Sequence, residues 1–156
     1  MKSVMVANDI PTAKYTILHE CCLKDLSNFE YPLVVKPVDC NSSKGVKKVE
    51  DEESLRSSLN NAVNYSRTHT AIVEEFICGD EISADFYIEN SKAKYLCATK
   101  SVKRKNTNSF TIVQSVYPVV NYEEEVQLTQ IAQKITDAFH LQNTPCLLYT
   151  SPSPRD

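Results

Sequence analysis

Glycine is nearly missing from this chain: two occur in 156 residues, against about 7% in average proteins. A chain this poor in glycine keeps one where the backbone demands it, so Gly45 and Gly79 mark the places to read closely. A basic excess is missing too. Seventeen Lys and Arg against 20 Asp and Glu leave a formal charge of −3, no electrostatic footprint for DNA or RNA. No apolar run approaches the roughly 18 residues of a membrane span, and the N-terminus lacks a charged-then-apolar secretory pattern. Neither a nucleic acid nor a membrane is expected as partner, and the chain reads as soluble and cytoplasmic.

Regular cysteine spacing is also lacking. Cys21 and Cys22 are adjacent, while Cys40, Cys78, Cys97 and Cys146 are scattered without a C-x-x-C pair, so neither a disulfide framework nor a zinc site is indicated. They read as reduced thiols filling small spaces in a core. His19, His69 and His140 are isolated, and none is read as a metal ligand.

What is present reads as mixed α and β. The first eight residues resemble the end of a helix, broken at Asp9-Ile10-Pro11-Thr12. A short strand is expected over 14–18, a short helix over 21–26 and a buried strand over Pro32-Leu33-Val34-Val35-Lys36, stopped by Pro37. A polar loop ends at Gly45, and 46–49 can return as a strand. Leu55, Leu59, Ala62 and Val63 fall at helical spacing within 50–67, with acids in the first turn. Strands follow over 71–77, over 81–89 with Ile82, Ala84, Phe86 and Ile88 on one face, over 93–102 as a hairpin return, and over 110–120. A second amphipathic helix over 123–141 turns Leu128, Ile131, Ile135 and Ala138 or Phe139 inward. The basic stretch 103–108 reads as a solvated loop, and 146–156, closing with two prolines, reads as an unstructured tail.

Two places could carry chemistry. Lys36 leaves a buried strand directly before a loop with Ser42, Ser43, Lys44 and Gly45. Small residues let backbone N–H groups approach phosphate oxygens, and a lysine supplies charge; the same residues also suit an ordinary surface turn. The order is wrong for a P-loop, in which the lysine follows the glycines. It is equally wrong for a protein kinase, whose glycine-rich loop precedes its lysine and whose H-R-D and D-F-G motifs are absent here. The second place is Glu74-Glu75-Phe76-Ile77-Cys78-Gly79-Asp80-Glu81. Acids inside an apolar strand are costly to bury without a partner, so this is either an edge strand with exposed glutamates or a linker offering backbone groups to an adenine edge.

Taken together, Tyr31-Pro32-Leu33-Val34-Val35-Lys36-Pro37, Ser42-Ser43-Lys44-Gly45-Val46 and Glu74-Glu75-Phe76-Ile77-x-Gly79-x-Glu81 resemble the ATP-grasp superfamily, with the flavour of its carbamoyl-phosphate-synthase-like carboxylate–amine ligases. Both glycines fall on motif positions, and Ile10-Pro11-Thr12 resembles the turn before the first strand of that fold. The resemblance implies an α+β ATP-grasp fold of two α+β subdomains with ATP between them. A partial ATP-grasp domain would span 1–145, with a first subdomain over 1–68, an incomplete second over 69–145, and a non-native or disordered tail over 146–156.

The same resemblance implies that Lys36 contacts the α-phosphate of ATP and that Ser42, Ser43, Lys44 and Gly45 close over the β- and γ-phosphates. The Glu75 C=O and the Ile77 N–H on either side of Phe76 would read the adenine edge, with Glu74 beside the exocyclic amine and Glu81 on the ribose. Lys100 is a further phosphate candidate or a solvated lysine. The implied reaction activates a small-molecule carboxylate with the γ-phosphate of Mg·ATP, and an amine then attacks the acylphosphate. The family's Mg2+-binding carboxylates are not found, no metal ligand or catalytic residue is assigned, and the chain reads as a fragment cut at both ends. It would be inactive alone and at most a weak nucleotide binder. The alternative is a non-catalytic ATP-sensing or regulatory grasp module.

Overall fold

Three successive apolar residues, Leu33-Val34-Val35, suit a strand covered on both faces, and that is their environment. In the computed structural model, which describes residues 1–19, 26–40, 44–103 and 112–150, each of the three is buried. The elements run α1 (Lys2–Ala7), β1 (Tyr15–Leu18), β2 (Leu33–Pro37), β3 (Lys47–Val49), α2 (Glu52–Tyr65), β4 (Ala71–Glu75), β5 (Ile82–Glu89), β6 (Lys92–Lys103), β7 (Ile112–Val116), α3 (Tyr122–Ala138) and β8 (Thr144–Thr150). The class is α+β, with two four-stranded antiparallel sheets ordered β1-β4-β2-β3 and β7-β6-β5-β8.

Of the described residues, Ala13–Gly79 form one compact unit, and Met1–Thr12 with the residues from Asp80 onward form the other. The division expected after residue 68 therefore falls after Gly79. The reason is β4, which is hydrogen-bonded between β1 and β2 and so completes the first sheet. Residues 1–12 go with the later unit: Ile10 is buried, and the Lys134 ammonium on α3 donates to the Asp9 carbonyl at 3.1 Å.

In the unit of 13–79, α2 lays Leu55, Leu59 and Ala62 on a core completed by Leu33, Val35, Val49, Ala71 and Val73. Its start is defined by a capping box. The Asp51 carboxylate accepts from the Ser54 N–H at 2.7 Å, and Glu52 and Glu53 occupy the first turn, where the helix dipole favours acids.

In the other unit, Ala84, Phe86 and Ala98 pack against Leu128 and Ala132 of α3. The expected inward face of β5 is borne out: Ala84, Phe86 and Ile88 are buried and Ile82 half-buried. The β5–β6 turn places Asn90 and Ser91 at φ of 50° and 61°, the left-handed geometry of tight hairpins. Gln133 of α3 grips this turn, accepting from the Ala93 N–H at 2.9 Å and donating to the Ser91 carbonyl at 3.0 Å.

Two expectations are corrected here. The buried stripe of α3 is Leu128, Ala132 and Thr136, with Ile131 and Ile135 only half-buried. Thr136 can lie inside because its hydroxyl donates to the Ala132 carbonyl at 2.8 Å. The supposed tail is structured as far as Thr150. Residues 144–150 form β8, placing Cys146 opposite Phe86 and Leu148 opposite Ala84. The run is too short to display a strand period clearly, and its prolines suggested a break. Residues 151–156, residues 21–25 of the helix expected over 21–26 and residues 104–108 of the loop expected over 103–108 lie outside the described residues.

Candidate functional site

Strand alternation sorts the two adjacent acids. Residues directly opposite on neighbouring strands share a face; Val34 of β2 lies opposite both Lys48 of β3 and Glu74 of β4. Lys36 is two residues beyond Val34 and on the same face. Its ammonium reaches the Glu74 carboxylate at 3.2 Å, with the two side chains 17% and 8% exposed. Glu74 is therefore a buried acid with a cationic partner. Glu75, one residue on, belongs to the opposite face and is exposed, beside a cavity of about 300 Å³ bordered by Lys14, Phe29, Tyr31 and Phe76. That cavity is not where the Lys36–Glu74 pair lies.

Strand β4 ends at Glu75, whose N–H donates to the Lys14 carbonyl at 2.9 Å, and an irregular linker covers 76–79. The Phe76 N–H donates to the Pro32 carbonyl at 3.2 Å. The Lys48 ammonium lies 4.6 Å from the centroid of the Phe76 ring, and Ile77 is about half-exposed.

Ser42 and Ser43 lie outside the described residues; Lys44 is exposed. Gly45 has φ of +75°, and a Cβ there would stand 2.9 Å from Pro37 Cγ and 3.2 Å from Tyr65 Cδ2. Only glycine suits that position. Gly79 is different, since a Cβ there would meet nothing within 4 Å, and the argument from glycine scarcity holds for Gly45 alone. Before the loop, the Asp39 carboxylate accepts from the Arg67 and Thr68 N–H groups, both at 3.2 Å, and the Cys40 thiol donates to the Tyr65 carbonyl at 3.1 Å. Desolvation raises the Asp39 carboxyl, but hydrogen bonds from Ser66, Arg67 and Thr68 outweigh it and leave it below its ordinary value.

The remaining candidates belong to the other unit. Glu81 is buried just before β5, and its carbonyl accepts from the Ser101 N–H at 2.9 Å. Lys100 of β6, opposite Ile82, is held by Asp80 at 2.6 Å. The pair is open to water, the two side chains being 38% and 65% exposed. Among the described residues no group of three or more His, Cys, Asp or Glu comes together.

Sequence reasoning passed over Lys48, Asp39 and Asp80. Lys47 and Lys48 are adjacent lysines in the sequence, and only the strand register separates their faces. Asp39 and Asp80 act through partners distant in sequence, which no local motif announces.

Residues 29–148 match the ATP-grasp domain family. The chain is 41% identical over 83 residues to a D-alanine–D-alanine ligase of Pediococcus pentosaceus, covering 53% of this chain and 23% of that protein. In fold it resembles the VanG D-Ala:D-Ser ligase of Enterococcus faecalis, with a TM-score of 0.77 at 21% identity over 96% of this chain and 47% of that one. It likewise resembles an L-amino acid ligase of Bacillus licheniformis, with a TM-score of 0.74 at 20% identity over 98% of this chain and 36% of that one. The chain spans about a quarter of the length of the Pediococcus ligase. With the match running from before β2 into β8, the chain belongs to the ATP-grasp domain family.

Proposed function

We propose that this chain is the ATP-binding part of a ligase that joins a carboxylate to the amine of an amino acid. The observation that carries the reading is the mostly buried Lys36–Glu74 pair at 3.2 Å, leading on one strand to the Gly45 loop and on the other to the 76–79 linker. Its surroundings fit a nucleotide. A glycine held at φ +75° against Pro37 ends the loop.

In this reading Lys36 holds the α-phosphate, and Ser42, Ser43, Lys44 and Gly45 cover the β- and γ-phosphates. The Glu75 carbonyl and Ile77 N–H meet the adenine edge, Glu74 takes the exocyclic amine and Glu81 the ribose hydroxyls. Lys100, ion-paired to Asp80, is a further phosphate candidate. ATP supplies the phosphoryl group that activates the carboxylate, and Mg2+ would screen its phosphates. Amino-acid substrates are favoured over a carbamate or purine intermediate because the ligases named above are all amino-acid ligases by name. Cytoplasmic location and dependence of turnover on a longer polypeptide belong to the same proposal.

Hydrogen–deuterium exchange with and without ATP tests the placement. Slowed exchange at the amides of 44–45 and 75–77 is the expected result. Unchanged exchange there, with saturable binding measured in the same sample, would move the site elsewhere.

A further inference from the structure

We propose that Lys48 is a positioning residue for the base-reading linker, acting through the ring of Phe76; this rests on the nucleotide reading above. Phe76 lies between the two groups assigned to the base edge, the Glu75 carbonyl before it and the Ile77 N–H after it. How Phe76 is held therefore sets where both point. Its residue lies beyond the last ladder bond of β4, so the sheet does not fix it. Contacts that hold it include the N–H bond to the Pro32 carbonyl at 3.2 Å and the Lys48 ammonium 4.6 Å above the ring.

The register explains why Lys48 and not its neighbour makes this contact. Lys48 is aligned with Val34 and Glu74, on the face that carries Lys36. Lys47 is aligned with Val35 and belongs to the opposite face. Glu50 also pairs with the Lys48 ammonium at 3.1 Å, but that carboxylate is 74% exposed, and an ion pair so open to water contributes little by itself. The ring is the partner through which Lys48 acts.

Removing the ammonium should loosen base reading and leave phosphate binding alone. The test is the affinity of the full 156-residue chain for ATP and for GTP, measured by titration calorimetry on wild type, Lys48→Met, Lys48→Arg and Lys47→Met, with the thermal midpoint as a check on folding. Lys48→Met is expected to weaken ATP about twofold to fivefold, the strength of an exposed cation–π contact, and to leave GTP within measurement error, so the ATP-to-GTP ratio falls. Lys48→Arg, which keeps a cation over the ring, and Lys47→Met, which removes an equal charge from the other face, are expected to keep the wild-type ratio. An unchanged ratio in Lys48→Met, or an equal fall in Lys47→Met, overturns the inference. Wild type that binds neither nucleotide overturns the nucleotide reading itself, a different outcome from a ratio that fails to move.

Discussion

Lys36 and Glu74 come from strands far apart in sequence and bury their charges against each other. Removing one member of a buried ion pair takes away the charge that compensates the other, while removing both takes away the need for it. Lys36→Met should therefore cost about 3 kcal/mol of unfolding free energy, and adding Glu74→Gln should restore a good part of it. Urea unfolding of the two single variants and the double variant checks the sign of the coupling. Asp39 sets a pH dependence. Its carboxyl lies below its ordinary value because hydrogen bonds from Ser66, Arg67 and Thr68 overcome desolvation. A depressed carboxyl stabilises above its unfolded value, about 3.9, and that contribution is lost as pH falls through the folded value. Wild type should exceed Asp39→Asn in urea midpoint by a constant margin between about pH 5 and 7, and the margin should close on acidification below about pH 4.

Among the elements, α2 and the turn at Gly45 frame the loop candidates. Asp51→Ala removes the carboxylate that caps the Ser54 N–H and should cost about 1 kcal/mol, read as a lower thermal midpoint. Gly45→Ala brings a Cβ within 2.9 Å of Pro37 Cγ at φ +75° and should cost about 1–2 kcal/mol for the left-handed backbone alone. Gly79→Ala, with open space around it, should be nearly neutral for stability. Elements with a sustained period are legible in the sequence: Leu55, Leu59 and Ala62 announce α2, and Ala84, Phe86 and Ile88 announce the inner face of β5. Where one threonine interrupts the pattern, as at Thr136, the buried stripe of α3 was set one turn-position away from the isoleucines. Strand β8 was missed because Cys146 and Leu148 are too few to show alternation, and their partners on β5 lie about sixty residues upstream.

At the scale of the whole molecule, the ATP-grasp family was readable from residue types alone, and the family match over 29–148 agrees with that recognition. The division of the chain was not, because β4 reads as the start of something new and only its pairing with β1 and β2 shows that it closes the first sheet. The cross-strand relations were equally hidden: that Lys36 finds Glu74, that Lys48 finds Phe76, and that Asp80 holds Lys100. Each depends on register, which a linear motif does not carry. The central claim is that the Lys36–Glu74 face binds ATP. Calorimetric titration of ATP into the wild-type chain and into Lys36→Met/Glu74→Gln tests it most directly, since the double variant removes the site without leaving a buried lone charge. Saturable binding to wild type and a loss of about tenfold or more in the variant, the worth of one charged hydrogen bond, are expected. Absence of binding to wild type, or equal affinity in the two proteins, would contradict it.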